Sequence, residues 1–233
     1  MLDVRALDAW YGQAQILFGV SLAVGAGECV ALVGRNGAGK STTMKAIMGL
    51  VARRRGTVKF RSGDIATLPP YRIARLGLGW VPEDRRVFTD LTVRENLAVA
   101  RQPPRDGAPT WTEEKVYALF PNLAAMPQRL GGRMSGGEQQ MLTVARTLMG
   151  NPYLVLLDEP SEGVAPLIVE EMARMIVALK QAGVAILLSE QNLHFARLVS
   201  DRAVVLEKGE VKFEGSMDAL MNDDVLLRTH LSV

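Results

Sequence analysis

Apolar residues gather in short continuous runs along the chain: "LDVRALDA", "ECVALVG", "GTVKF", "GLGWVP", "YLVLLDE", "VAILLSE", "RAVVLEKG" and "EVKFEG". Several are unbroken Val/Leu/Ile stretches, the pattern of parallel strands covered on both faces. Between them the apolar spacing turns helical at Lys40 to Gly49, Val169 to Gln181 and Leu193 to Val199. Strand and helix alternate at both ends of the chain, which predicts an α/β domain.

The middle differs. From about Glu83 to Gly150 the spacing is helical in "VRENLAVA", "EEKVYALF" and "GEQQMLTVARTLM", with the Pro/Gly-rich connector "RQPPRDGAPT" between the first two. The pattern predicts a helical insertion, residues 83–150, between two parts of one α/β domain, 1–82 and 151–233. Neither an internal repeat nor a low-complexity segment interrupts it.

Composition narrows the function classes. With 233 residues and 48% hydrophobic content the chain can bury a real core. Lys and Arg total 27 against 25 Asp and Glu, so a net charge of +2 gives no case for nucleic acid. The densest basic cluster, "ARRR" at Ala52 to Arg55, reads as a solvated loop face. The single cysteine, Cys29, sits among apolar residues and reads as a core side chain. No uninterrupted apolar run approaches the roughly 18 residues of a membrane helix, and "MLDVRALDAW" has neither a basic leader nor an apolar core. The expectation is a cytoplasmic protein whose membrane role, if it has one, comes through a partner.

Two motifs carry chemistry. "GRNGAGKS", Gly34 to Ser41, fits G-x-x-x-x-G-K-[ST] between the apolar run "VALV" and the helical "STTMKAIMGL". Glycines let the backbone wrap so that successive N–H groups and a helix N-terminus point at phosphate oxygens. Lys40 supplies the point charge for the β/γ-phosphates, and Ser41 can ligate Mg²⁺. "YLVLLDEP" then puts Asp158 and Glu159 at the end of an apolar strand, where ligands gather in such folds. Asp158 is suited to Mg²⁺ through its water shell, and Glu159 is a candidate base for the attacking water. A third stretch, "MSGGEQQMLTVARTLM", has Ser135 as an N-cap followed by two glycines, a second helix start that leaves N–H groups open to an anion.

Together these stretches resemble an ATP-binding subunit of an ABC transporter, and the resemblance runs along essentially the whole chain. It implies a P-loop NTPase fold: a RecA-like core, an antiparallel β subdomain and an inserted α-helical subdomain. It further implies that ATP and Mg²⁺ are the cofactors. Gly34, Arg35, Asn36, Gly37, Ala38, Gly39, Lys40, Ser41 and Thr42 would bind ATP, and Tyr11 in "WYGQAQIL" would stack on adenine. Ser135, Gly136, Gly137 and Glu138 would be the signature that binds the γ-phosphate held by an opposing subunit. Expected partners are membrane permease subunits, a second ABC ATPase and, indirectly, a periplasmic or lipid-anchored solute-binding protein, with the chain peripheral at the cytoplasmic face of the membrane.

Four positions depart from the commonest family pattern. Glu83 in "VPED" stands where Gln is usual, and its carboxylate can still serve a Mg²⁺-bound water. Glu138 replaces Gln at the end of the signature, an acid suited to the first turn of a helix. Ala165 in "EGVA" replaces an Asp and cannot make its polar contacts. Counting back ten residues from Asp201 puts Gln191, rather than a histidine, at the switch position, and leaves His194 as a solvent-facing or packing residue. "VPED…RRVF", "DEPSEGVAP", "SEQN" and "LLRTHLSV" are together similar to the LivF-type ATP-binding subunits of branched-chain amino acid importers. Importers of urea or short amides share some of this wording, and the departures also fit a weakly hydrolytic regulatory subunit. A soluble ABC ATPase of ribosomes or DNA repair would need a duplicated cassette, a long coiled-coil insertion or a basic arm, and the sequence has none. Apolar residues in "FTDLTVRENL" could seat a permease helix or simply pack.

Overall fold

A computed structural model describes residues 1–231. Ser232 and Val233, the end of "LLRTHLSV", lie outside the described residues. Strands β1 (Leu2–Tyr11), β2 (Ala14–Val24) and β3 (Cys29–Val33) come first, followed by helix α1 (Lys40–Ile47). Strands β4 (Arg53–Phe60) and β5 (Gly63–Asp64), helix α2 (Pro70–Arg75) and strand β6 (Leu78–Val81) lead into the middle of the chain. There α3 (Val93–Ala98), α4 (Glu113–Leu119), α5 (Pro121–Ala124) and α6 (Gly136–Leu148) follow one another with no named strand between them. Then β7 (Leu154–Asp158), α7 (Pro166–Gln181), β8 (Ala185–Glu190), α8 (Leu193–Val199) and β9 (Arg202–Glu207) alternate. Strand β10 (Glu210–Ser216) and short helices α9 (Met217–Met221) and α10 (Asp224–Leu226) close the fold.

The strands form two sheets. One is antiparallel in the order β2-β1-β4-β5; the other runs β10-β9-β3-β8-β7-β6, parallel except for edge strand β10. The unbroken apolar runs are explained by the second sheet. In β7, Leu154 and Leu156 pack toward the antiparallel sheet and α1, while Val155 and Leu157 pack toward the helices on the other face. Strand β8 repeats the division with Ala185 and Leu187 against Ile186 and Leu188. Period-two alternation is present, but both faces are covered, so both sets are apolar. The inserted helices share this core: Val93, Leu97, Val116, Leu123 and Leu142 belong to the same cluster as Val155, Ile186 and Ile176. Cys29 is buried in that cluster, and burial pushes its thiol up to about 12.

Three features differ from the sequence reading. Strand β2 was not anticipated; its inward residues Leu17, Val20, Leu22 and Val24 are interrupted by Gly19, at φ +65°, where the register with β1 shifts, and this hides the alternation. Helix α7 begins at Pro166, whose fixed φ suits a first helical position, three residues before the apolar periodicity at Val169. The "ARRR" cluster is solvated as expected at Arg53 and Arg55 but does not lie in a loop: Arg53, Arg54 and Arg55 open β4. Each has a partner, Arg53 over the Trp10 ring at 4.9 Å, Arg54 donating to the carbonyls of Val51 (2.8 Å) and Ala66 (2.6 Å), and Arg55 with Asp8 at 3.6 Å.

The two sheets meet the 34–39 loop at Gly209. Lys208 and Gly209 form the two-residue turn of the β9–β10 hairpin, both at positive φ, as a type I′ turn requires. Gly209 N–H donates to the Ala38 carbonyl (2.8 Å), and its own carbonyl accepts from Phe18 N–H (2.9 Å). A Cβ on Gly209 would run into the Ile16 carbonyl oxygen. Gly209→Ala is therefore expected to cost at least about 2 kcal/mol, from left-handed backbone and a clash that no side-chain motion relieves. A urea titration checks this: the midpoint should fall with the slope unchanged.

Candidate active site

The loop between β3 and α1 is shaped by its glycines. A Cβ on Gly34 would strike the Leu206 carbonyl, and one on Gly39 would lie 2.8 Å from Leu17 Cδ2, in a backbone already at φ +109°. Gly39 is also the N-cap of α1 and caps it with no side chain, and the first turn carries no acidic residue. The helix thus presents free N–H groups and the positive end of its dipole. They face a cleft of about 500 Å³ lined on the loop side by Asn36, Gly37, Gly39, Lys40, Ser41 and Thr42. Its remaining lining is Ile16, Glu83, Glu159 and Glu162.

Lys40 is only 3% exposed. Its ammonium donates to the carbonyls of Gly34 (2.9 Å) and Arg35 (3.2 Å) and lies 3.0 Å from Glu159 Oε1. All three of its protons are engaged, which is how a buried cation is tolerated.

The other half of the site comes from the ends of β7 and β8. Asp158 pairs with Ser189 in the strand register, and its Oδ1 accepts hydrogen bonds from Ser189 Oγ (2.8 Å) and Ser41 Oγ (2.9 Å). Burial pushes the Asp158 carboxyl upward, and the two hydroxyl bonds work against that shift. Glu159 turns out of the strand at φ +44°, held by its N–H donating to the Ser189 carbonyl at 3.1 Å. Its Oε2 accepts from Gln191 Nε2 at 2.7 Å. Burial would raise the Glu159 carboxyl, but hydrogen bonds with Glu162, Gln191 and Lys40 and the Lys40 charge outweigh burial and hold it below the usual range. Glu159 is thus a fixed anion.

Two further carboxylates complete the cluster, and sequence reasoning assigned neither a role. Glu162 is exposed at the cleft edge, and the nearby Glu159 carboxylate, with partial burial and the charges of Glu83 and Glu190, pushes its carboxyl up to about 7. Glu190 is 2% exposed; its oxygens accept from Ser161 N–H (3.1 Å) and Asn192 N–H (3.3 Å), fastening the turns after β7 and β8 together. Burial raises it too, against those bonds. Both residues lay inside stretches singled out in the sequence, but no spacing distinguishes a carboxylate that turns back into the cleft from one that caps a loop.

Other expected residues fall as follows. Ser41 and Asp158 bring a hydroxyl and a carboxylate oxygen together beside the cleft, with Glu83 among its lining residues. Such a hard oxygen set fits Mg²⁺, which takes few protein ligands and keeps waters and phosphate oxygens for the rest. Arg35 lines a neighbouring groove with Gln191 and Leu231, and Ala38 is buried. Tyr11 is 49% exposed at the end of β1 and is not among the cleft-lining residues; Ile16, from the same hairpin, is. His194 is exposed in the first turn of α8, a helix capped instead by Asn192 Oδ1 accepting from Phe195 N–H at 3.1 Å.

Ser135 to Glu138 start α6. Ser135 Oγ accepts from Glu138 N–H (3.4 Å), and Ser135 N–H donates to Glu138 Oε2 (2.6 Å), a complete capping box. Glu138 also pairs with Arg129 at 3.6 Å, so its carboxylate is used within its own chain. The glycines allow close packing: a Cβ on Gly136 would strike the Arg85 guanidinium, and one on Gly137 would lie 2.9 Å from Ile168 Cγ1. None of these four residues lines the 34–42 cleft. The loop that carries Glu83 is bolted to α6, with Thr143 Oγ1 donating to the Arg85 carbonyl (2.6 Å) and Arg146 Nη2 to the Arg86 carbonyl (2.7 Å).

Comparison with known proteins agrees with this geometry. The pattern of the ABC transporter family matches residues 17–162. The chain is 40% identical over 223 residues to the high-affinity branched-chain amino acid transport ATP-binding protein BraG of Pseudomonas aeruginosa, covering 96% of each chain. It is 34% identical over 233 residues to the lipopolysaccharide export system ATP-binding protein LptB of Haemophilus influenzae, covering 99% of this chain and 97% of that one. A crystal structure of a nucleotide-free ATP-binding cassette from an ABC transporter superimposes with a TM-score of 0.83 at 25% identity, covering 100% of this chain and 98% of that one. With the family pattern spanning more than half of its length and such likeness from end to end, the chain belongs to the ABC transporter family as an ATP-binding-cassette ATPase coupled to transport.

Proposed function

We propose that the chain energises a membrane importer whose cargo is branched-chain amino acids. The observation that carries the catalytic part is that Lys40, Ser41 and Glu159 line one cleft while Asp158 and Gln191 bond to them from beside it, through contacts of 2.7–3.0 Å. The cargo rests on BraG, at 40% identity over nearly the whole of both chains. LptB, at 34%, favours a second reading in which the same cassette serves another small solute or an export machine. The departures at Glu83, Ala165 and Gln191 also fit a weakly hydrolytic, regulatory subunit.

In this reading ATP lays its phosphates along the 34–42 loop and the free N–H groups of α1. Lys40 exchanges its bond with Glu159 for one with the β/γ-phosphates. Ser41 and Asp158 would hold Mg²⁺, with Glu83 on the cleft wall beside them, and the ion would supply neutralising charge to the phosphates. Glu159, released from Lys40 and still held by Gln191, orients the attacking water and takes its proton. Gln191 can donate and accept, but it cannot change charge near neutral pH. Ile16 and Tyr11 belong to the hairpin at which adenine would rest.

Ser135 to Glu138 lie outside the chain's own cleft, which supports a head-to-tail pair in which this helix start caps the nucleotide of a second cassette. Closure is favoured by contacts made to ATP only in the closed form, and hydrolysis removes them. For the permease, "FTDLTVRENL" divides in two. Val93 and Leu97 are buried and pack, whereas Phe88 is 52% exposed and backed by the Arg146 guanidinium at 4.8 Å, which supports a docking role for that end. No helix among the described residues is long and apolar enough to cross a membrane. Membrane attachment at the cytoplasmic face, through permease subunits that also meet a solute-binding protein, belongs to the same proposal.

Three outcomes are expected. Lys40→Ala abolishes ATP binding in a calorimetric titration; undiminished binding overturns the phosphate-loop reading. Glu159→Gln binds ATP, slows hydrolysis by about a hundredfold or more, and elutes with ATP as a dimer on size exclusion. Gln191→Ala lowers kcat about tenfold through loss of one charged hydrogen bond, whereas His194→Ala stays within about twofold. For the cargo, the decisive measurement is which permease and solute-binding protein co-purify with the tagged chain, and whether leucine-loaded binding protein stimulates ATP turnover by the assembled complex.

A further inference from the structure

Arg85 and Arg86 are consecutive non-glycine residues in the left-handed region, at φ +62° and +53°. L-residues enter that region at a cost, and a pair of them persists only where the surroundings over-determine the backbone. Arg85 N–H donates to the Pro82 carbonyl (3.2 Å), closing a turn with Glu83 at its corner, and Arg86 N–H donates to the Asp84 carbonyl (2.7 Å). From α6, Thr143 Oγ1 and Arg146 Nη2 donate to the Arg85 and Arg86 carbonyls at 2.6 and 2.7 Å. Glycine would take both positions without strain, so what the chain keeps there is two side chains.

The two arginines are used differently. Arg86 is exposed, pairs with Asp84 at 2.8 Å and lies over the Trp80 ring at 5.6 Å. Arg85 is half-buried and, among the described residues, in no ion pair. Its guanidinium lies instead against two glycines. At Gly136, the first residue of α6, a Cβ would strike Nη1 and stand 3.1 Å from Cζ. At Gly163, in the turn after Glu159, a Cβ would stand 3.8 Å from Nη2. The next residue of α6, Gly137, is fitted as closely to Ile168 of α7, whose Cγ1 lies 2.9 Å from where a Cβ would be. The start of α6 thus rests on the Arg85 guanidinium and on α7 with no side chain of its own in between.

We propose that Arg85 is a positioning residue for ATP turnover: its guanidinium braces the start of α6 against the turn that follows Glu159, while its backbone fixes Glu83 at the wall of the cleft. The inference rests on the reading in which Ser135 to Glu138 cap the nucleotide of a second cassette. One residue then sets the offset between the cleft where this chain holds its own nucleotide and the helix start that it offers to the other. Loss of the guanidinium lets the start of α6 shift while the Glu83 turn and the 34–42 loop stay in place. The lesion therefore falls on association and on the rate of turnover, and not on the first binding of ATP.

Arg85→Gly isolates the side chain, because glycine adopts φ +62° at no steric cost and leaves the backbone bonds in place. Its melting temperature should stay within about 3 °C of the wild type, and its ATP affinity by calorimetry within about threefold. In steady-state hydrolysis kcat should fall about tenfold with KM for ATP nearly unchanged. In a Glu159→Gln background, ATP-dependent dimerisation followed by sedimentation should weaken about tenfold as well. Arg86→Gly relieves the same kind of strain and should leave turnover at the wild-type rate. Gly136→Ala pushes the guanidinium off its seat, so the double variant should be little slower than the slower of the two single ones. The proposal is overturned if Arg85→Gly turns over like the wild type, if Arg86→Gly slows turnover equally, or if the losses at 85 and 136 add. It is overturned too if Arg85→Gly loses thermal stability and ATP binding along with activity, the mark of a role in folding alone. Failure of the broader reading looks different: Glu159→Gln would not dimerise with ATP, or Lys40→Ala would keep wild-type ATP binding, whatever residue stands at 85.

Discussion

The site depends on the buried ion pair between Lys40 and Glu159. A buried ammonium or carboxylate left unpaired is costly, and the attraction within a pair seldom repays the desolvation of both ions. Here the cost is contained by saturation. Lys40 gives its other protons to two carbonyls of the 34–39 loop, and Glu159 receives Gln191. The pair thereby ties α1 and its loop to the end of β7 and, through Gln191, to the residue just after β8. An arrangement of this kind is weak evidence for stability and better evidence for exchange. A polyanionic phosphate chain offers Lys40 a stronger partner in the same place, and the Glu159 carboxylate keeps Gln191 at its other oxygen.

That exchange works only because the strand ends are level. Val33 pairs with Glu190, and Asp158 with Ser189, so the phosphate loop, the Asp158–Glu159 turn and Gln191 leave the sheet at adjacent points. The register is set far below the cleft by Leu154, Leu156, Ala185 and Leu187 on one face and Val155, Leu157, Ile186 and Leu188 on the other. A slip of one residue would exchange the two apolar faces and carry Ser189 away from Asp158. Core packing and site geometry are thus one constraint. The covering helices add to it, since α6 belongs to the same core cluster and holds the Glu83 loop through Thr143 and Arg146.

The sequence made some of this legible and hid the rest for physical reasons. The phosphate loop, Asp158 and Glu159 stood out because their chemistry is written in consecutive residues, and the parallel strands because both of their faces are apolar. Gln191 was reached only by counting back from Asp201, and it does bond to Glu159. Glu162 and Ile16 were not legible as cleft residues. Ile16 depends on strand β2, whose alternation is broken at Gly19, and Glu162 depends on the left-handed turn at Glu159, which no local propensity announces. The basic cluster at 53–55 was rightly read as solvated at Arg53 and Arg55 but wrongly as a loop, because charge density hides the strand pairing with β1. Contacts made across a sheet or around a strained turn are long-range facts, and a one-dimensional pattern carries them poorly.

The charge balance of the cleft gives these pieces a common logic. Among its lining residues Lys40 is the one cation, against Glu83, Glu159 and Glu162, with Asp158 just behind them bonded to Ser41. A polyanionic nucleotide entering such a site meets repulsion unless some of that negative charge is cancelled. A divalent cation held by Ser41 and Asp158 would cancel part of it. The acid-for-amide change at Glu83 therefore makes the site lean harder on its cation than a neutral residue there would, and nucleotide and metal binding are thermodynamically linked within a single cleft.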